Sequence, residues 1–410
     1  MLAVALCWWA SGLFFPGRAP SGAADDVPRS MRFLSRVIAD GAADDMQRLF
    51  PEGHLFTHVT TGLAAAELGL QAAPGSAARE DAIATARAAL AALDSEQGRA
   101  PFNRHLDPPR GVFYRGWVAY LSAKIVALEG PDPRLVASLE RDGDAIAAAL
   151  ARAPTPYLPS YTGMAWPTDT VVAVAALSLH DQVLPPRYGA ARQAWLSRAK
   201  ATLDPAMGLF PHQVDPDTGA VVDGPRGTSS ALISAFLPDI DRAFAAELYP
   251  RYRARFVVTR LGLPGVRERA SEGDPWRPLL SEGDIDSGPL LAGLSMSAST
   301  VALAAAANNG DPELAEGLRR AAELAGLPTG LTEKRYLFGM LPVADGFLAW
   351  CRALPIQADA RWPPILSLGG RAWALLFTLA CLFALIGRPL SDGRRALRAL
   401  RTLRAPAARP

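Results

Sequence analysis

Cysteine, charge and strand-forming patterns are all scarce in this chain, and each shortage narrows what it can be. Only 3 cysteines occur in 410 residues. Cys7 and Cys381 fall in apolar end segments, and only Cys351 belongs to the central region, which excludes an intradomain disulfide and a thiolate metal centre. Charged residues make up 20% of the chain, 42 basic against 40 acidic, so there is no basic surplus from which to build a nucleic-acid surface. Strand patterns are nearly absent, which points to an all-α protein.

What the chain does have is repetition. An amphipathic helix, a Gly/Pro-rich loop carrying aromatic and acidic residues, and a small-residue apolar helix recur. The apolar helices start near His54, Tyr114, Trp166, Thr228, Ser287 and Phe338, at intervals of 51 to 62 residues. That period suits one helical hairpin per repeat, and six hairpins can close into an (α/α)6 toroid. The apolar members, such as Thr170 to Leu179 and Pro289 to Ala306, have no polar face and read as inner helices packed on both sides. The outer helices are expected over Pro28 to Leu49, Ala77 to Leu93, Pro133 to Arg152, Pro186 to Leu203, Asp241 to Val258 and Pro312 to Leu324. In the fourth, Trp195, Leu196, Ala199 and Leu203 recur at helical spacing while Arg198 and Lys200 take the wet face. Function then belongs to the loops that lead into the inner helices.

Both chain ends point to a membrane. Ile365 to Ile386 is apolar over 22 residues apart from Arg371, long enough to cross a bilayer, and reads as a transmembrane helix with Trp373 at the interface. Seven arginines follow, from Arg388 to Arg409, against the single acid Asp392, which places the tail in the cytoplasm and the toroid outside it. Leu2 to Phe15 is shorter and reads as a signal peptide or anchor. The expected organisation is therefore 1–24 as leader or anchor, 25–360 as toroid, 361–387 as transmembrane helix and 388–410 as basic tail. The toroid would face the periplasm of an inner or plasma membrane.

From Tyr157 to Arg269 the chain resembles the linalool dehydratase/isomerase family. The resemblance runs through Asp215-Pro216-Asp217-Thr218-Gly219-Ala220-Val221, Pro225-Arg226-Gly227-Thr228-Ser229 and Asp241 to Tyr252. Tyr114-Arg115-Gly116 and Lys334-Arg335-Tyr336 add shorter matches. The resemblance implies an (α/α)6 toroid and a hydro-lyase or isomerase acting on a terpenoid-like alcohol. The family's chemistry uses a pair of cysteines before the third inner helix and a histidine after the Tyr-Lys-Gly segment. Here those stretches read Pro159 to Asp169, without cysteine, and Trp117, so thiol-assisted dehydration does not transfer.

The loops themselves offer carboxylates and aromatic rings. Asp169 opens the third inner helix, with Tyr157, Tyr161 and Trp166 in the same loop. Sugar faces stack on aromatic rings and glycosidic cleavage needs an acid, so this grouping suits a glycan, although an acid in the first turn also simply complements the helix dipole. The fifth loop carries Glu282, Asp284 and Asp286 within five residues; crowding like charges raises the pKa of at least one and fits it for general acid work. A solvated turn or cap is the plain alternative. His212, before the fourth inner helix, is the best-placed proton shuttle. Tyr114, Trp117, Arg226 and Tyr336 are expected as substrate contacts. His54 and His58 are spaced i, i+4 but lack a third ligand, and neither a metal nor a cofactor is expected.

Three functions stay open at this stage. The first is a membrane-anchored enzyme that breaks a C–O bond in a glycan by carboxylate acid/base catalysis, with Asp169, Asp286, Asp284 and His212 as its catalytic groups. The second is the hydro-lyase or isomerase that the resemblance implies. The third is a non-catalytic glycan-binding or assembly protein. On any of them Asp169, Asp286, His212, Trp117 and Tyr336 should open onto one funnel.

Overall fold

The computed structural model describes residues 23–260, 263–270, 280–281, 287–288, 290–291 and 293–356. The apolar ends, the arginine tail and the acidic run 282–286 lie outside the described residues, and with them the transmembrane reading and the candidates Glu282, Asp284 and Asp286. No described helix is long and apolar enough to cross a membrane.

Local capping chemistry sets many of the helix starts. Ser76 accepts from Arg79 N–H at 3.3 Å, and Asp132 from Arg134 and Leu135 N–H at 3.1 and 2.9 Å. Asp241 and Asp311 act likewise toward Phe244 and Leu314, each satisfying an orphan donor of a first turn. In chain order the helices are α1 (Ala23–Ala39), α2 (Ala42–Leu49), α3 (Gly53–Gln71), α4 (Ala77–Leu93), α5 (Glu96–Arg99), α6 (Gly111–Glu129) and α7 (Pro133–Arg152). They continue as α8 (Pro167–Val183), α9 (Gly189–Lys200), α10 (Gly227–Ile240), α11 (Arg242–Phe256), α12 (Met296–Asn308), α13 (Pro312–Ala325) and α14 (Pro342–Ala353).

Six of these form a closed inner ring. Helix α3 packs on α6, α6 on α8, α8 on α10, α10 on α12, α12 on α14, and α14 returns to α3. The outer layer over them is α4, α7, α9, α11, α13 and α1. The protein is mostly helical, in the double-ring arrangement the sequence period predicts. Small residues make the inner contacts close: a Cβ on Gly116 would stand 3.0 Å from the backbone nitrogen of Ala173, and one on Gly346 would strike Thr60.

The inner helices all run the same way. Near their starts, Val112 N–H donates to Pro159 O at 3.0 Å. At their ends, Gln71 donates to Ala353 O, and Asn308 and Asn309 donate to Ala235 and Ser234 O. One end of the ring, here the mouth, therefore collects the loops that enter the inner helices; the other is the foot. Between them the axis is filled by aromatic rings. Trp117 lies 5.6 Å from Phe56, 5.4 Å from Phe236 and 6.0 Å from Trp350, all edge-on, and Trp117 is fully buried. Edge-to-face packing of this kind is favourable beyond simple area burial.

The structure departs from expectation in three places. The first outer helix breaks in two, because Gly41 adopts φ 91° between α1 and α2, and Pro28 lies inside α1 rather than opening it. The fifth inner helix begins at Met296, not near Ser287, because Leu290–Leu291 and Leu294–Ser295 form a tight antiparallel hairpin first, and the Ser295 side chain then caps the helix. The sixth begins at Pro342, since Phe338 sits at φ 60° in a 3-10 turn.

Strands also occur where almost none were expected. Strands β1 (Gln213–Val214) and β2 (Val221–Asp223) pair as a hairpin. A small antiparallel sheet combines β3 (Val257–Arg260), β4 (Leu263–Val266), β5 (Leu280–Ser281), β6 (Leu290–Leu291) and β7 (Leu294–Ser295) in the order β3-β4-β7-β6-β5.

Candidate active site at the mouth of the ring

The loop before α8 and the loop before α10 are laced together. Ala165 and Val214 exchange backbone hydrogen bonds at 3.2 and 2.9 Å, an isolated antiparallel bridge. Trp166 and Pro167 follow the bridge on one side and His212 precedes it by two residues on the other. The start of α8, with Asp169, and His212 are thus held at the same end of the ring.

Asp169 is buried, and its Oδ2 accepts the Ser160 hydroxyl at 2.6 Å. The neighbouring Tyr161 donates its hydroxyl to Glu52, the residue before α3. Two consecutive loop residues therefore hold two carboxylates from different repeats. The Tyr161 and Trp166 rings are 6.0 Å apart at 88° and both are half-buried. Phe113 stacks 6.3 Å from Tyr161, and the half-buried Phe56 lies 5.3 Å from Phe113 and 5.1 Å from Phe347. The mouth is thus aromatic, with one of its rings, Tyr161, bonded through its hydroxyl to the Glu52 carboxylate.

His212 is buried, and its Nδ1 shares a hydrogen bond with Ser229 in the first turn of α10. That helix start is also capped by Glu268, which accepts from Thr228 N–H at 3.2 Å and from its hydroxyl at 2.6 Å. Arg226 is committed nearby: its Nε donates to Asp223 at 2.7 Å. Burial opposes charge on Asp223, yet Arg226 and Arg269 hold its carboxyl below the usual carboxylate range.

Four of the expected contacts are placed differently. Tyr114 turns outward and donates to Leu93 O at 3.0 Å, because the end of α4 covers that face of α6. Tyr157 is buried with its hydroxyl 2.6 Å from Thr202 Oγ1, beyond the end of α9. Trp117 lies inside the aromatic axis with no exposed surface. Tyr336 belongs to a charge cluster behind α14, where it donates to Glu323 at 2.8 Å and accepts from Arg352. Lys334 adds 2.7 and 2.6 Å contacts to Glu323 and Asp26. Burial works against the Glu323 charge, but Arg352 and Lys334 keep its pKa low. This is a structural clamp between α1, α13 and α14; of the five groups expected on one funnel, Asp169 and His212 lie at the same end of the ring, Trp117 and Tyr336 lie elsewhere, and Asp286 falls outside the described residues.

His54 and His58 lie 4.5 Å apart, but His54 faces Asp44 and Ala92 O, toward α2 and α4. Burial, with His54 adding to it, pushes His58 down to about 4. No cluster of metal-binding side chains occurs among the described residues.

Sequence reasoning missed Glu52, Ser160, Phe113 and Phe56. Glu52 precedes the first inner helix, in the position expected to carry function, but a lone Glu there carries no motif. Asp345 was missed too: it is buried in the first turn of α14, accepts Tyr336 N–H at 2.7 Å, and burial pushes it up to about 7. It faces the Tyr336 side rather than the aromatic axis, where Phe347 and Trp350 point.

These features define a helical double ring with two hydroxyl-bonded carboxylates and several aromatic rings at one mouth. No protein-family model matches the chain. Among solved structures, it is similar to the unsaturated glucuronyl hydrolase from Bacillus sp. GL1, described as responsible for the degradation of glycosaminoglycan. Identity is 14%, covering 72% of this chain and 85% of that one, with a TM-score of 0.43. A structure described as a UGL variant with dGlcA-Glc-Rha-Glc gives 14% identity, the same coverage and a TM-score of 0.44. At this identity and overlap the likeness says nothing of this chain's substrate or chemistry.

Proposed function

We propose that the protein is a hydrolase-type enzyme that breaks a C–O bond in a glycan at the mouth of the ring. The observation that carries the reading is the pairing of Ser160 with Asp169 and of Tyr161 with Glu52 on consecutive loop residues, beside the half-buried Tyr161 and Trp166 rings. A pyranose face stacks on an aromatic ring, and glycosidic cleavage asks for two carboxyl groups flanking the bond. In this reading Asp169 protonates the leaving oxygen and Glu52 serves the opposite face. The acidic run Glu282, Asp284 and Asp286 is the other source of a second carboxylate, and His212 contacts a substrate hydroxyl. The proposal keeps the toroid outside the cytoplasm, anchored through 365–386, on the strength of the apolar run and the arginine tail that follows it.

A second reading is the hydro-lyase or isomerase on a terpenoid-like alcohol. It is favoured by the purely apolar rings of Phe56, Phe113 and Phe347 at the mouth, together with the family resemblance between 157 and 269. Turnover by the full-length protein, assayed against polysaccharide, oligosaccharide and terpenoid-alcohol panels, separates the two. Glycan cleavage that Asp169→Asn abolishes supports the first reading. Activity confined to alcohols supports the second, and saturable glycan binding without turnover on any panel overturns both.

A further inference from the structure

A second polar site lies at the mouth end of α6 but on its outward face, between α4 and α7. It is a cavity of about 220 Å³ lined by four arginines, Arg99, Arg110, Arg115 and Arg141, and two aspartates, Asp94 and Asp142. Two of the arginines are neutralised there: Arg99 pairs with Asp94 and Arg115 with Asp142. Asp142 is buried; burial raises its pKa, and Arg115 opposes that rise. Arg110 and Arg141 make no ion pair and no side-chain hydrogen bond with any described residue. The lining therefore carries four positive charges against two negative ones, with Arg141 adding to Arg115 in favouring the charged form of Asp142 and the Tyr114 and Ser138 side chains beside them.

Arg110 holds its place in an unusual way. It precedes α6 with φ 72°, in the left-handed region, where a side chain incurs a steric cost that a glycine would not. Strain of this kind at a residue that lines a charged cavity is a reason to look for a ligand. The start of α6 adds the positive end of a helix dipole near the same corner.

We propose that this crevice binds a tetrahedral dianion, a phosphate or sulfate group, either as the free ion or as a monoester carried by a larger molecule. A guanidinium fork matches the paired oxygens of such a group, and four positive charges against two negative ones in the lining match its double charge better than the single charge of a carboxylate. The cavity has room for the anion and part of what it is attached to. Because Tyr114 and Arg115 face this side of α6 while Phe113 and Trp117 face the axis, a ligand here would lie on the other side of α6 from the aromatic rings of the mouth.

Calorimetric titration of the full-length protein with inorganic phosphate, sulfate, a hexose phosphate and acetate, with ionic strength held constant by chloride, tests the proposal. The expected result is saturable binding of phosphate and sulfate, weaker or no binding of acetate, and hexose phosphate binding at least as tightly as phosphate if a monoester is the ligand. Arg110→Gly keeps the left-handed backbone, and Arg141→Gln alters an exposed side chain, so both variants should fold. Each should weaken phosphate binding by about tenfold. Binding no different from that of chloride in the wild type, or equal binding in wild type and both variants, would overturn the site.

Discussion

At the foot of the ring, Lys124 Nζ donates to Glu67 at 2.6 Å and the Tyr120 hydroxyl to Asp239 at 2.8 Å; at the mouth, Ser160 and Tyr161 hydroxyls serve Asp169 and Glu52. Both ends hold acidic groups on inner helices or at their starts and set a hydroxyl against one of them, but the foot adds a buried cation, Lys124, whose charge acts on both Glu67 and Asp239. Burial works against the Lys124 charge, yet Glu67 and Asp239 raise its pKa and keep it an ammonium. A carboxylate fixed by a buried cation is a strut: neither partner can be withdrawn without leaving a bare charge in a low-dielectric setting. A carboxylate held by a hydroxyl can exchange that bond for one to a substrate hydroxyl at a modest net cost. The comparison gives the foot a structural role and leaves the mouth carboxylates able to take part in the proposed chemistry.

Three substitutions sharpen or break that contrast. Lys124→Met should have the largest effect, lowering the free energy of unfolding by about 3 to 5 kcal/mol, because Glu67 would be left charged and buried. Denaturant titration reads this, and a loss under about 1 kcal/mol would deny the strut role. Asp345→Asn should act through pH. The folded-state pKa of Asp345 is about 7, above its unfolded value, so the native state binds the extra proton. Through this group stability is fully present at low pH and falls by about 1.4 kcal/mol per unit as pH rises from roughly 4 to 7. The variant should therefore gain stability over wild type at pH 8 and lose that advantage at pH 5. Equal stability differences at the two pH values would refute it. Tyr161→Phe should have the smallest effect, about 0.5 to 1.5 kcal/mol from one hydrogen bond, with the aromatic surface kept. It should disturb Glu52 rather than Asp169, giving a modest change in kcat with KM little altered; a large rise in KM would mean the hydroxyl binds substrate directly.

Much of the ring could be read from the chain, and the failures have physical causes. Ala77–Leu93 and Pro133–Arg152 match their expected bounds, because Ser76 and Asp132 are strong caps and Pro133 can only open a helix. The first four inner helices start within three residues of where the apolar runs begin. The fifth repeat misled because Leu290 to Ser295 is apolar enough to continue the helix; only Gly293, at φ 75° in a two-residue hairpin, betrays the strands. Val257 to Thr259, β-branched and aimed at β4, ended α11 two residues early.

The candidate site was less legible than the fold. Tyr157 and Tyr336 are expected at the site from their place in the loops, and Tyr114 and Trp117 from the family resemblance, but a helical step of 100° decides whether a ring on a helix meets the mouth, the outer layer or the axis. Sequence position does not fix that angle. Asp169 and His212 share an end because of the Ala165 and Val214 bridge, a pairing between loops that no local pattern announces. Glu52 became a candidate only through Tyr161, more than a hundred residues away.

The central claim is that the mouth carboxylates do chemistry. Its most direct test is kcat for Asp169→Asn on the glycan that the wild type cleaves, measured alongside its unfolding free energy. The account predicts a fall in kcat of about a hundredfold or more, the usual contribution of a positioned acid, with stability changed by no more than about 1 kcal/mol, as for a simple helix-end acid. Full turnover in a stably folded Asp169→Asn protein would contradict it.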